Sequence, residues 1–333
     1  MRNLKGKIAA LVALTVGLFG LAACADNPNA GISVGLITKQ ETNSYWVTMR
    51  KAAEKTAKDE HIRLITATGA SDVDVAGQEE AFRAMMDDGV DGILIAPVDS
   101  TALNPLFEEA EAQGIVVITV DTPVSPEDAA DAYFGTDNHE AGVLVGEYAK
   151  GRAEELGLEP KIVMLNLAPG IDSGLERENG FLEGFGVSAD DPEVVASADT
   201  EGDRDKAREA LKVILADEPG VSVIYAVNEE AAFGALEALE DEGIDPASVV
   251  LVTVDGSCKM VKDGLRTGKV AATSMQFPEN MAREGIYAII DAAHGGPTPH
   301  GYLNTGVQLI AKHPVEGVDS QNVEYGVRNC WGD

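Results

Sequence analysis

The sequence predicts an α/β protein built as two doubly wound, parallel-sheet lobes. Three observations predict it. Short apolar, β-branched runs alternate with stretches of helical periodicity; the alternation starts afresh near residue 160; and 333 residues exceed what one compact domain usually holds. The run at 31–38 (GISVGLIT) reads as a buried strand, and 45–60 as a helix with apolar positions at helical spacing. A second strand follows at 63–68, then a helix at 76–88 ending at Gly89. The segment 92–96 (GILIA) is a third strand, 102–113 a helix stopped by Gly114, and 115–120 (IVVITV) a strand covered on both faces. The second series comprises strand 161–166, helix 174–184, strand 193–198, helix 205–215, strand 221–226, helix 229–242 and strand 249–254. No Pro- or Ser-rich linker parts the halves, so short strand-like hinges are expected between them.

The front of the chain is a separate matter. Arg2, Lys5 and Lys7 precede an apolar stretch of about 14 residues that ends in Leu21-Ala22-Ala23-Cys24. The stretch is short of the ~20 residues that span a bilayer. A cysteine directly after a small-residue cleavage site resembles a bacterial lipoprotein signal. It implies removal of 1–23, lipidation of Cys24 and a short tether over 24–30. The body is then expected outside the cytoplasm, lipid-anchored to the cell membrane; an ordinary secretory signal with an incidental cysteine is the simpler alternative.

Composition narrows the partners. Hydrophobic residues make up 45% and charged residues 24%, an ordinary globular balance. The formal charge of −31 deepens to −34 when Arg2, Lys5 and Lys7 are cut away. Bulk charge of this sign excludes nucleic acid and anionic membrane surfaces as electrostatic partners. With Cys24 lipidated, Cys258 and Cys330 remain, either as a disulfide of an exported protein or as two separate buried thiols.

In open α/β sheets, ligands sit beyond the carboxyl ends of the strands. Residues at those positions supply aromatic rings (Tyr45, Trp46), planar amides (Asn43, Asn138, Asn228, Gln276) and charges (Asp121, Asp255, Arg177). That mixture suits a sugar, whose C–H faces pack on rings and whose hydroxyls both donate and accept. Lys39 stands at the same end, as a pocket group or as a solvated lysine.

Seven short strings then match one family in order. They are LITK through NSYW at 36–46, VDTP at 120–123, GTDN at 135–138, RENGF at 177–181, AVNE at 226–229, VDGS at 254–257 and ATSMQFP at 272–278. The chain resembles the sugar-binding proteins of bacterial ABC importers, of the ribose-binding (type I periplasmic binding protein) kind, with wording nearest the fructose-binding branch. The resemblance implies two lobes joined by a three-strand hinge. The first comprises 31–136 and 277–305, and the second 137–276 and 306–333, with crossings near 136–138, near Gln276 and after about 300. It implies ligand contacts from Asn43, Asp121, Asn138, Arg177, Asn228, Asp255 and Gln276, and a sugar sandwiched by Tyr45 and Trp46. Thr122 stands where ribose binders carry a second arginine, and Val254 where they carry an aromatic, so a differently shaped sugar is implied. Ser44 replaces the usual proline and is expected to cap the helix.

Other chemistry finds no support in the sequence. Gly31-Ile32-Ser33-Val34-Gly35 matches G-x-S-x-G, but at the start of a strand and not on a nucleophile elbow. Asp72-Val73-Asp74 with Gly77 resembles a calcium loop, yet Arg83 stands where the final acid belongs. His61, His139, His294, His300 and His313 lack metal-ligand spacing. No catalytic residue, metal or cofactor is expected. The reading is a monomeric binding lipoprotein that delivers a fructose-like hexose or a pentose to an ABC permease, and through it to the ATPase subunit. Alternatives are a receptor that presents bound sugar to a membrane sensor, and a binder of a polyol such as inositol.

Overall fold

The computed structural model describes residues 27–332. The signal segment and Cys24 lie outside them. The first part of the chain runs β1 (Ser33–Thr38), α1 (Ser44–Glu60), β2 (Arg63–Thr68), α2 (Val75–Asp87), β3 (Gly92–Ile95), α3 (Asn104–Ala112), β4 (Val116–Val120) and β5 (Ala132–Gly135). It continues through α4 (Asn138–Leu156), β6 (Ile162–Asn166), α5 (Asp172–Phe185), β7 (Val194–Asp199), α6 (Arg204–Asp217), β8 (Val223–Ala226), α7 (Glu229–Asp241) and β9 (Val250–Asp255). A π-helical turn, Met260–Leu265, leads to β10 (Ala272–Met275), α8 (Pro278–Ala293), β11 (Gly301–Asn304), β12 (Gln308–Ala311) and α9 (Val323–Asn329).

These strands form two six-stranded sheets, ordered β11-β5-β4-β3-β1-β2 and β12-β10-β9-β8-β6-β7. The two orders correspond strand for strand. All neighbours pair in parallel except β12, which runs antiparallel to β10. The chain changes sheet three times: between β5 and α4, between β10 and α8, and between β11 and β12. These are the crossings of the three-strand hinge.

Alternation along each inner strand explains the layering. In the first lobe Val34, Leu36, Leu94, Ile118 and Val120 face α1 and α8, whose Met49, Ala53, Ile286 and Ile289 cover them. Their neighbours Ile37, Ile93, Ile95 and Val117 face Phe82, Met85 and Phe107 from α2 and α3. Strands buried on both faces are near-continuously apolar, which is why they stand out in the sequence.

The longest helix of the described chain, α4, carries no such signal. Gly142 and Gly146 on α4 lie against α5, and Gly180 and Gly184 on α5 lie against α4. A Cβ on Gly142 would fall 2.2 Å from the Arg177 carbonyl oxygen, and one on Gly180 would fall 2.1 Å from that of His139. The helices therefore meet backbone on backbone, and α4 also packs on the second sheet, where Ser274 donates to the Ala141 carbonyl at 2.8 Å. This close approach sets the position of α5 and of the side chains it carries into the cleft. Gly142→Ala and Gly180→Ala should each destabilise the protein by about 1–3 kcal/mol through overpacking. Thermal melting checks this; an unchanged melting temperature would show that the helices part easily.

Candidate functional site

Strands β4 and β9 hold the same place in their two sheets. Each delivers an aspartate in the left-handed region, Asp121 at φ 65° and Asp255 at φ 107°. Non-glycine residues there cost of order 1–3 kcal/mol, and such strain collects at functional sites. Between the two carboxylates lies Arg177 of α5. Its Nη2 is 3.9 Å from Asp121 Oδ1 and its Nη1 is 3.8 Å from Asp255 Oδ1. Both separations exceed hydrogen-bond range, so the charges attract without closing on each other. Burial would lower the guanidinium's pKa, but Asp255 and Asp121 outweigh it and raise it.

Asn138 and Gln276 stand one layer behind. Arg177 Nε donates to Asn138 Oδ1 at 2.8 Å, and Arg177 Nη1 donates to the Val227 carbonyl at 3.2 Å. Gln276 Nε2 donates to Asp255 Oδ1 at 2.7 Å. The structure thus places these two amides as supports of the charged row and away from the cavity wall.

The cavity between the lobes is lined by Lys39, Asn43, Tyr45, Trp46, Asp72 and Asp121 from the first lobe. Leu167, Ile171, Ser173, Arg177, Asn228 and Asp255 line it from the second. Its free space is about 30 Å³, room for little more than a water, so a larger ligand enters only when the lobes part. The lobes touch directly around it. Thr122 Oγ1 and Ser173 Oγ are 3.1 Å apart, Ser100 N–H donates to the Gly170 carbonyl at 2.9 Å, and Asp172 N–H donates to Ser100 Oγ at 3.0 Å.

Local structure explains the wall. Asn43, not Ser44, caps α1: its Oδ1 accepts from Tyr45 N–H at 2.8 Å, because the amide oxygen reaches the first turn while Ser44 is already helical. Asn228 caps α7 in the same way, accepting from Ala231 N–H at 2.9 Å. Tyr45 and Trp46 are edge to face, 4.8 Å apart at 86°, so they form a corner and not the two parallel walls of a sandwich. Trp46 Nε1 donates to Asp72 Oδ1 at 3.1 Å, while Asp74 caps α2 through Gly77 N–H. The acidic turn at 72–74 therefore orients an aromatic ring and starts a helix.

Lys39 is buried in this wall. Its Nζ donates to Thr122 Oγ1 at 3.0 Å, lies 3.9 Å from Asp121 Oδ2 and sits 5.4 Å from the Trp46 ring centre. Burial lowers its pKa against the pull of Asp121 and Asp72. It brings a second cation to the cavity wall, beside Thr122. Sequence reading left Lys39 open and missed Asp72, Ser173 and Glu229. Glu229 is buried beside Asp255: its N–H donates to Asp255 Oδ2 at 3.2 Å and its Oε2 accepts from Ser257 N–H at 3.0 Å. Burial, with the negative charge of Asp255 beside it, pushes the Glu229 carboxyl well above the usual range. A larger hollow of about 280 Å³ lies at the hinge, lined by Tyr133, Tyr302, Glu176 and His139 among others. Of the sequence-predicted ligand residues only Asn138 borders it, so the chemistry gathers in the smaller cavity. Cys258 and Cys330 are joined as a disulfide, with Cα atoms 4.8 Å apart.

Two lobes of equal strand order, a three-crossing hinge and an enclosed polar cleft define a solute-binding protein. A model of the periplasmic binding protein domain matches residues 34–297. The chain is 29% identical over 300 residues to the ribose import binding protein of Bacillus subtilis, covering 87% of this chain and 94% of that one. It is 30% identical over 298 residues to that of Salmonella typhimurium, covering 89% and 92%. A solved ABC-transporter solute-binding protein of Actinobacillus succinogenes with bound D-allose superposes with a TM-score of 0.74 at 28% identity, covering 84% and 98%. The chain belongs to the periplasmic binding protein family, in its ribose-binding group. These relatives are solute-binding proteins and not enzymes.

The burial of Glu229 has a measurable consequence. The folded state keeps its proton at pH values where the unfolded carboxyl has lost it, so Glu229 lowers stability progressively as pH rises above the ordinary glutamate range. Glu229→Gln removes that charge and keeps an acceptor for Ser257 N–H. It should raise the melting temperature at pH 8.5 by roughly 2–4 °C and change it little at pH 4.5. A gain as large at pH 4.5 as at pH 8.5 would contradict this assignment.

Proposed function

We propose that the protein captures a neutral monosaccharide between its lobes and delivers it to an ABC importer. The observation that carries this reading is the row Asp121, Arg177, Asp255 facing the Tyr45–Trp46 corner. Carboxylates accept from sugar hydroxyls, the guanidinium donates to ring and hydroxyl oxygens, and aromatic faces take the C–H surface. Two cations, Lys39 and Arg177, are offset by Asp72, Asp121 and Asp255, so the cavity offers no positive excess to a sugar phosphate or acid. The relatives named for ribose and the one holding D-allose support a pentose or hexose, with a fructose-like sugar within the same range.

The working cycle follows from the hinge. The lobes, 31–136 with 277–305 and 137–276 with 306–333, rock about the three crossings. A sugar that touches Asn43, Tyr45, Trp46 and Asp121 on one side and Arg177, Asn228 and Asp255 on the other binds the closed form better and shifts the population toward it. Asn138 and Gln276 hold the arginine and the aspartate in place. The closed monomer is what the permease receives, and ATP is spent by the importer's own subunit. A diacylglyceryl group on Cys24 keeps the protein at the extracytoplasmic face of the cell membrane.

Thermal-shift measurements with D-ribose, D-allose, D-fructose and myo-inositol test the reading. A true ligand at ~100 times its Kd adds ~2.7 kcal/mol of stability. Arg177→Ala and Asp121→Ala should each weaken binding by about 2–4 kcal/mol, or about 30- to 1,000-fold. Absence of any shift across the panel, or mutants that bind as well as the native protein, would overturn it. Cys24→Ala should move the protein from the detergent phase to the aqueous phase; retention in the detergent phase would rule out the lipid anchor.

A further inference from the structure

The end of the described chain makes contacts that the ligand constellation does not explain. Trp331, near the end of the described residues, is only 3% exposed. Its backbone belongs to the second lobe. The Trp331 carbonyl accepts from Cys258 N–H at 2.8 Å, the residue pairs in a parallel bridge with Ser257, and its neighbour Cys330 is covalently joined to Cys258. Its side chain reaches into the first lobe. The indole meets Tyr45 edge to face at 5.3 Å and 82°, within the core cluster that includes Met49 and Met281. At the same time Nε1 donates to the Asp255 carbonyl at 3.1 Å, which Gln276 N–H also holds at 2.9 Å.

Trp331 therefore touches two residues of the cavity wall, one from each lobe, without lining the cavity itself. Through Tyr45 it fixes the aromatic corner. Through the Asp255 carbonyl it braces a residue held at φ 107°. We propose that Trp331 is a positioning residue of the sugar site, and that the Cys258–Cys330 disulfide sets sugar affinity by pinning it there. The proposal rests on the sugar-binding reading above. When the lobes part, either the indole leaves Tyr45 or the tail leaves the second lobe. The disulfide and the backbone pairing hold the tail, so the indole–Tyr45 contact is the one that opens and closes with the cleft. Reduction by dithiothreitol, two electrons and two protons converting the disulfide to two thiols while the reagent becomes a cyclic disulfide, removes the covalent pin and leaves the indole free to withdraw.

The test is calorimetric and stopped-flow titration of the native protein and its variants with whichever of D-ribose, D-allose and D-fructose the native protein binds. Trp331→Ala should raise Kd at least tenfold, mostly through faster dissociation, because the contact belongs to the closed form. Trp331→Phe, which keeps a ring against Tyr45, should restore most of that loss. Cys258→Ser with Cys330→Ser, and native protein reduced by dithiothreitol, should each weaken binding threefold or more. Leu211→Ala, which cuts the second-lobe core far from the tail, should lower the melting temperature and leave Kd unchanged. If Trp331→Ala lowers the melting temperature but binds within threefold of native, the tail is a structural staple and the proposal fails. Should Trp331→Ala not fold, unchanged Kd in both the reduced native protein and the double serine variant overturns it equally. A native protein that binds none of the three sugars defeats the sugar reading and this proposal with it.

Discussion

One guanidinium organises this molecule. Arg177 stands almost wholly buried between two aspartates that come from corresponding strands of separate sheets. A buried cation needs compensating charge and hydrogen bonds, and here the charge comes from both lobes. The second lobe contributes Asp255, Asn138 and the Val227 carbonyl, and the first contributes Asp121. The closed arrangement is thus electrostatically complete, while its long Arg–Asp separations leave donors and acceptors for a ligand's hydroxyls. Helix packing below serves that end. Glycines let α5 settle against α4 closely enough for Arg177 and Asn138 to meet.

The duplicated strand order turns this into a binding device. Because β4 and β9 hold the same place in their sheets, their aspartates enter the cleft from opposite lobes and line the same cavity. Helix starts do the same: Asn43 and Asn228 cap α1 and α7 while bordering the same cavity. A molecule with hydroxyls on both edges satisfies both lobes, which is the physical content of closure upon a ligand.

The central strands were legible because burial on both faces favours near-continuous apolar residues, broken by a threonine in β4 and in β9. The helix α4 was not, since it is wedged between α5 and a sheet and spends interior positions on glycine. The strand β11 is exposed along its length and has no apolar run to mark it. Of the site, the wall residues Asn43, Tyr45, Trp46, Asp121, Arg177, Asn228 and Asp255 were readable from strand ends and ordered motifs. Their depth was not: Asn138 and Gln276 lie a layer behind, and a motif does not record which of two polar neighbours faces the cleft. Lys39 finds its partner Thr122 83 residues away, and Trp46 finds Asp72 26 residues away. Such pairings are products of the fold, so an isolated lysine or a broken calcium-like motif could not announce them. The angle between Tyr45 and Trp46 is likewise a tertiary result, set by Asp72 on one side and Trp331 on the other.

A crystal structure of the protein with the sugar it binds most tightly would decide whether the Arg177 row is the binding surface. The sugar should lie between the lobes, with hydroxyl oxygens within about 2.7–3.2 Å of Asp121, Asp255 and the Arg177 guanidinium. A sugar seated instead in the hinge hollow beside Tyr133 and Tyr302, without contact to Arg177, would contradict it.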